Sequence, residues 1–355
     1  MYVAGIDAHT KYLMITVVSK TGERVLGPVR VNVDARERLT TLLAEFRPLE
    51  AVMETSAVWP WLDECITAQG IKFVLAHAKR LRVIAESTHK SDRIDSEILA
   101  RMRLAGLIPE VYVTPAAQRE WASLVRHRRA LVGQRTLLAN RIHAQLHSRG
   151  LSLRRGELLT KSGRAWVASE AFPRLSREQR SVVRTHFLLL KELRKLIRPL
   201  DRRIRDVATQ IPEARLLQSV PGIGPHRALL FCAEALPIAR FATPAHLTSY
   251  AGLAPRTRQS GQGPIRHGAI PMGANRYLRG LLVQSVIQHA QFAPDSWLTA
   301  YYMAQKARLG KNVARIAAAR KLARALYAML RTNTRWSNTP PGRGELEWTH
   351  AAVTA

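Results

Sequence analysis

Acid is scarce in this chain. Its 355 residues hold 26 Asp and Glu against 55 Lys and Arg, a formal charge of +29. So basic a balance favours a polyanionic partner, bound through contacts that release counterions and weaken steeply with salt. Cysteine is nearly absent: Cys65 and Cys232 lie far apart in apolar stretches. They give neither a disulfide framework nor zinc-ligand spacing, so a reducing cytoplasmic setting is expected. There is no apolar run of about 18 residues, the length a membrane span needs. Aromatics make up only 6%, and the basic helices lack the Trp/Phe face of an interfacial anchor, so no membrane partner is expected. The first residues read as a strand and not as a signal peptide. What is present is ample apolar material, 46%, enough for two or three folded domains.

The N-terminal third, residues 1–114, reads as α/β. Tyr2–Ala8 and Tyr12–Ser19 are rich in β-branched residues, and His9-Thr10-Lys11 forms a tight connection between them. Thr21-Gly22-Glu23 turns the chain into a third strand near Val25–Val33. Asp34 suits the N-cap of a helix through Phe46. A strand over Glu50–Glu54, a helix over Val58–Gln69 closed by Gly70, and a strand over Ile71–Leu75 follow. Helices are then predicted over Ala78–Ala85 and Asp92–Ala105. Three strands, then helix, strand, helix, strand, helix is the ribonuclease-H order.

Residues 115–211 change character to all-α. Ala116–Arg149 carries a stripe of Leu124, Leu131, Leu138, Ile142 and Leu146. Arg177–Gln210 carries Leu189, Leu193, Leu196, Leu200, Ile204 and Val207 at spacings of three and four. Both patterns fit a coiled-coil seam or a long antiparallel hairpin. Arginines crowd the other faces, Arg126, Arg129, Arg135, Arg141 and Arg202 among them. A merely solvated face mixes both signs of charge, whereas acids are sparse here, which favours a nucleic-acid-facing hairpin. Residues 212–332 form a third, mainly helical unit, and 333–355, with Pro340-Pro341-Gly342, read as a flexible tail.

Four acids are placed where chemistry would use them. Asp7 sits inside the apolar run Tyr2-Val3-Ala4-Gly5-Ile6-Asp7-Ala8, and Glu54 ends Ala51-Val52-Met53-Glu54. A carboxylate in an apolar strand is costly unless a cation neutralises it. Asp92 and Asp95, three apart, share one helix face. Glu54 alone could be an ordinary strand end, Asp92 an ordinary N-cap, and Asp95 an ion-pair partner of Arg93 or Lys90. Together and in this order, the four fit a hard-oxygen site for two magnesium ions, or manganese in their place, that clamps a phosphodiester.

Two further motifs concern phosphate. Pro221-Gly222-Ile223-Gly224-Pro225 lies between helices, where Gly222 and Gly224 would let backbone amides approach a DNA phosphate; a structural Gly-Pro turn explains it equally well. The loop from Pro255 to Gly273 presents Arg256, Arg258, Ser260, Gly261 and Arg266. Ser260, before a glycine, is a candidate nucleophile on phosphorus, with the arginines holding the phosphoryl oxygens. Arg276 lies just beyond, as does Tyr277, a rival nucleophile better suited to packing. His267 suits either a base or a phosphate contact.

These residues resemble a known family. Gly5-Ile6-Asp7, Met53-Glu54-Thr55-Ser56, Lys90-Ser91-Asp92-Arg93-Ile94-Asp95, Ser219-Val220-Pro221-Gly222-Ile223-Gly224, Tyr250-Ala251-Gly252-Leu253-Ala254-Pro255, Ser260-Gly261 and Asn275-Arg276-Tyr277-Leu278-Arg279 resemble the DEDD transposases of the IS110 insertion-sequence family. The likeness runs from about residue 2 to about residue 332. It implies a RuvC-like N-terminal domain, a coiled-coil segment and a C-terminal transposase domain. It also implies RNA-guided recombination, in which a bridge RNA pairs with donor and target DNA. In such an enzyme a C-terminal serine, matched here by Ser260, attacks DNA while carboxylates matched by Asp7, Glu54, Asp92 and Asp95 bind magnesium. Holding four strands together calls for a homo-oligomer, dimer building to tetramer, in a bacterial or archaeal cytoplasm at the nucleoid. The alternatives are a junction-resolving metallonuclease that uses water, and a non-catalytic nucleic-acid-binding protein.

Overall fold

The computed structural model describes all residues except 79, 82–91, 155, 256, 259–265, 269–273 and 340–355; of 92–94, 257, 258, 266 and 267 it describes the backbone alone. The chain divides into two compact units, Met1–Ala116 and Ala117–Ala355.

In the first unit, β1 (Tyr2–Ala8), β2 (Tyr12–Ser19), β3 (Arg24–Asn32), β4 (Leu49–Glu54), β5 (Lys72–Ala76) and β6 (Glu110–Val111) form one sheet in the order β3-β2-β1-β4-β5-β6. Strands β1 to β3 pair antiparallel, β4 and β5 join parallel to β1, and β6 returns antiparallel. Helices α1 (Arg36–Ala44), α2 (Trp59–Thr67) and α3 (Asp92–Leu104) complete it. This mixed sheet with its helices is consistent with the expected ribonuclease-H-like domain. Alternation along the strands decides which face each residue serves. Ala4, Ile6, Leu13, Ile15, Ala51 and Met53 pack with Leu39 and Leu43 of α1 and Leu62 and Ile66 of α2. Val3, Val18, Val52 and Val74 pack with Leu99 and Ala100 of α3. Both faces of the central strands are therefore covered, which is why they read as nearly unbroken apolar runs.

One local expectation changes, one element is new and one expectation is left untested. Asp34 does not cap α1: the helix starts at Arg36, and the cap position, Ala35, offers no side-chain bond. The two-residue β6 was not predicted, being too short to show alternation. The helix predicted over Ala78–Ala85 falls largely outside the described residues.

The second unit is built on two long helices, α4 (Ala116–His147) and α6 (Arg177–Gln210), with the short α5 (Lys161–Trp166) and a π-turn over Val167–Ala171 between them. Arg128 donates to Asp201 at 2.8 Å, while Arg149 and Ser148 meet Gln179 at 2.8 and 3.0 Å. Those pairings make the helices antiparallel. Ser176 and Gln179 form a capping box that starts α6. The α4 stripe holds from Leu131 onward, and Ile204 and Val207 of α6 are inside as expected, but earlier in α6 the buried residues are Val183, Leu190 and Ile197, whereas Leu189 and Leu196 are exposed. Both series repeat every seven residues and share Leu193 and Leu200 as neighbours, so spacing alone does not choose between them.

The remaining helices are α7 (Pro212–Leu217), α8 (Pro225–Ala235), α9 (Pro244–Tyr250), α10 (Arg276–Phe292), α11 (Trp297–Leu309) and α12 (Lys311–Thr332), with a two-stranded ribbon, β7 (Thr257–Arg258) and β8 (Arg266–His267). Their core continues into Val125 of α4 and Ile204, Val207 and Ala208 of α6. The chain past Thr332 is held at first: the backbone N–H of Trp336 donates to Ser219 Oγ at 3.1 Å, and its ring stacks on Trp297. The rest of the predicted flexible tail, 340–355, lies outside the described residues.

Candidate active site

The sheet register brings two of the four predicted acids, Asp7 and Glu54, to one edge of the first unit. β1 and β4 pair in parallel up to Ile6 and Met53, so Asp7 and Glu54 are the next residues on neighbouring strands. Asp7 shares its face with Val3 and Gly5, and Glu54 shares its face with Val52, the face that α3 covers. A Cβ on Gly5 would lie 1.9 Å from the Ser96 carbonyl oxygen and 2.8 Å from the Ala100 nitrogen. Only glycine lets α3 come this close. A buried bond between Thr16 and Ser96, 2.8 Å between hydroxyls, fixes the same crossing from β2.

The direction of α3 follows from its far end. Arg103 reaches Glu50 at 2.8 Å, and Glu50 pairs with Val3 at the start of β1. The N-terminus of α3 therefore points toward the Asp7 and Glu54 edge. From Gly5 to Asp7 the strand rises about 7 Å. From the middle of the contact back to Asp95 the helix rises about 4–5 Å, and Asp92 lies one turn further. Asp95 is half-buried; the side chain of Asp92 is not among those described.

The neighbours of these acids were not foreseen. His9 Nε2 donates to Asp7 Oδ2 at 2.9 Å. The His9 ring stacks on Tyr12, which lies under Arg30. Two buried polar atoms at this edge have no hydrogen-bond partner among the described residues, Ser56 Oγ just past Glu54 and His77 Nδ1 just past Ala76, the partner of Glu54. Hard carboxylate oxygens with unsatisfied polar atoms beside them suit a divalent cation. Among the described residues no three His, Cys, Asp or Glu side chains already close on one point; the fourth acid, Asp92, stands outside that comparison.

Ser260 and Arg256 lie outside the described residues. Arg258 and Arg266 face each other as backbone partners in the β7–β8 ribbon, their side chains not described. The bases of the loop are well defined. The backbone N–H of Asn275 donates to the Tyr250 carbonyl at 2.9 Å, and Asn275 Nδ2 donates to Glu234 at 2.7 Å and to the Tyr250 hydroxyl at 3.1 Å. Asn275 Oδ1 caps α10 by accepting from Tyr277 and Leu278. Glu234 is 5% exposed and also accepts from Arg126 at 2.6 and 2.9 Å. Sequence reasoning passed over Glu234, although it ends the run Leu229-Leu230-Phe231-Cys232-Ala233. An acid in an apolar run was the signal used for Asp7.

The arginines expected to touch nucleic acid divide. Arg126 serves Glu234 and lies over the Tyr277 ring at 4.6 Å. Tyr277 is half-buried against the core, as a packing role requires. Arg141, Arg202 and Arg276 are exposed, and Arg135 is half-buried. Gly222 takes a left-handed φ of 88°, and a Cβ there would meet the His289 nitrogen at 2.7 Å, so packing against α10 explains this glycine. Gly224 is different: it has open space around it and caps α8. It borders a 500 Å³ cavity lined by Arg128, Arg129, His226 and Arg227. Burial, and then Arg128, push His226 down to about 4 and hold Arg227 below its ordinary value.

Comparison with known proteins identifies the family. A DEDD transposase model of the IS110 group matches residues 4–149, and a model described as the transposase IS116/IS110/IS902 family matches residues 214–303. The transposase for insertion sequence element IS1111A of Coxiella burnetii is 28% identical over 335 residues, 92% of this chain and 89% of that protein. A probable family 20 transposase of Pseudomonas aeruginosa is 30% identical over 258 residues, 69% of this chain and 73% of its own. The transposase for IS1328 of Yersinia enterocolitica is 27% identical over 310 residues, 85% of this chain and 90% of its own. The chain therefore belongs to the IS116/IS110/IS902 family of transposases and is an enzyme of DNA transposition.

Proposed function

We propose that this transposase cuts and rejoins DNA through a covalent link at Ser260. Asp7, Glu54, Asp92 and Asp95 hold a divalent cation, magnesium or manganese, and a structured guide RNA selects the donor and target DNA. The observation that carries the reading is the register of β1 and β4 together with the direction of α3, which gather Asp7, Glu54 and the start of α3 at one edge. What a divalent cation supplies there, when bound, is neutralisation of charge on phosphoryl oxygens.

The chain's own groups do the rest. Ser260 Oγ attacks the scissile phosphorus and loses its proton to solvent. The phosphorus–oxygen bond to the departing strand breaks, and that strand's oxygen leaves as a hydroxyl. The phosphoserine ester keeps the bond energy until the hydroxyl of a second strand displaces the serine. Arg256, Arg258 and Arg266 steady the phosphoryl oxygens. His9 orients the Asp7 carboxylate. The exposed arginines of α4 and α6 hold RNA by backbone and shape, and a dimer or tetramer keeps four strands together.

The test is to incubate wild type, Ser260→Ala and Asp7→Asn with DNA carrying the element's ends and the RNA that copurifies with the protein. A denaturant-stable protein–DNA adduct, absent from Ser260→Ala, supports the reading. Full strand transfer by Ser260→Ala refutes the serine route and leaves a water-using metallonuclease.

A further inference from the structure

The hairpin of the second unit contains a cavity of about 840 Å³. That is within the ~300–1,000 Å³ usual for small-ligand sites. Its floor is apolar: Leu158, Val167 and Leu190 are almost fully buried. Phe172 and Phe187 form an aromatic wall, and Leu188, 64% exposed, continues it outward. The rim has the opposite chemistry. Arg135, Arg184, Lys191 and Arg194 stand around the mouth, with Arg184 lying over the Phe172 ring at 5.4 Å, and among the described residues no acid lines the cavity.

An apolar, aromatic floor inside a ring of cations fits few ligands. A second copy of this hairpin would bring more arginines to the same rim and be repelled. A purely apolar ligand would leave the cations unanswered. A nucleotide satisfies both parts, with its base against the phenylalanines and its phosphates on the rim. The base must arrive unpaired. Extracting one from a duplex costs a few kcal/mol, whereas RNA loops already offer bases splayed for stacking on aromatic and arginine side chains.

We propose that this cavity is a binding site for an unpaired nucleotide of an RNA loop, its base between Phe172 and Phe187 and its flanking phosphates on Arg135, Arg184 and Arg194. The inference rests on the reading above that this transposase binds RNA. It adds a place on the hairpin where a loop nucleotide is held by its base as well as by its backbone.

The probe is an RNA hairpin with an eight-base-pair stem and a six-nucleotide loop carrying 2-aminopurine, compared with a fully paired RNA of equal charge and with the same hairpin made of DNA. Ala168, exposed on the cavity wall, is changed to Trp to fill the space without removing any core side chain; Phe187→Ala is the complementary truncation. Wild type should perturb 2-aminopurine fluorescence and bind the looped RNA about tenfold more tightly than Ala168→Trp does, since stacking a base is worth roughly that factor or more. Paired RNA should bind both proteins equally. Equal affinity of wild type and Ala168→Trp for the looped RNA, with melting temperatures unchanged, overturns the nucleotide site while leaving RNA binding intact. Tighter binding of the DNA hairpin than of the RNA overturns the choice of RNA. Failure of wild type to bind any RNA overturns the guide-RNA reading itself.

Discussion

Replacing Gly5 by alanine tests how closely α3 must press on β1 for the acids to meet. The new Cβ would stand 1.9 Å from the Ser96 oxygen and 2.8 Å from the Ala100 nitrogen. Both are backbone atoms, so no rotamer change relieves the overlap. A carbon–oxygen contact needs about 3.3 Å or more, so α3 must withdraw by more than about 1 Å. Overpacking of this kind costs about 1–3 kcal/mol, which lowers the melting point of a domain of this size by about 4 °C or more. The functional effect should exceed the loss of stability. Asp95 is adjacent to Ser96, and a displacement of about 1 Å at a reacting centre costs on the order of a hundredfold in rate. Circular-dichroism melts and strand-transfer rates should therefore fall together in Gly5→Ala. Gly27→Ala, with nothing within 4 Å of its Cβ, should leave both unchanged. A Gly5→Ala protein that melts and reacts like wild type would refute the proposed crossing of α3 over β1 and the convergence that depends on it.

Two predictions concern the second unit. Glu234→Ala strips Arg126 and Asn275 of a buried acceptor and should cost about 1–3 kcal/mol; a double-mutant cycle with Arg126→Met should show clear coupling, and a coupling near zero would contradict the assigned role. His226 is pushed down to about 4 from an ordinary 6.5, by burial first and Arg128 second. The folded state therefore binds fewer protons than the unfolded one between those values, and stability falls as pH drops through them. The loss between pH 7 and pH 5 should be about 2 kcal/mol. His226→Gln should remove that slope in denaturant titrations, and an unchanged slope would refute the assignment.

The sheet was legible because β-branched runs and turn residues alternate clearly in the first 76 residues, and because one strand face must be apolar for each helix that covers it. Asp7 stood out for the same reason, as an acid inside such a run. Glu234 carried the same signal in a helix, where buried and exposed positions mix and a lone acid is less conspicuous. His9 could not be assigned from sequence, since its bond to Asp7 depends on how tightly the β1–β2 connection folds. In α6 the expected Ile204 and Val207 are buried, but Leu189 and Leu196 give way to Leu190 and Ile197 because two seven-residue series run side by side there. Gly222 read as a phosphate contact, whereas its backbone angle and the crowding from α10 are tertiary facts that no local spacing reports.

The central claim is that acids distant in sequence make one cation site. Crystals soaked in Mn²⁺ and measured at the manganese absorption edge test it directly. The account predicts anomalous density for one or two ions within coordination distance of Asp7, Glu54 and the first turn of α3, lost in Asp7→Asn. Manganese that binds elsewhere, or binds this edge equally well without the Asp7 carboxylate, would contradict it.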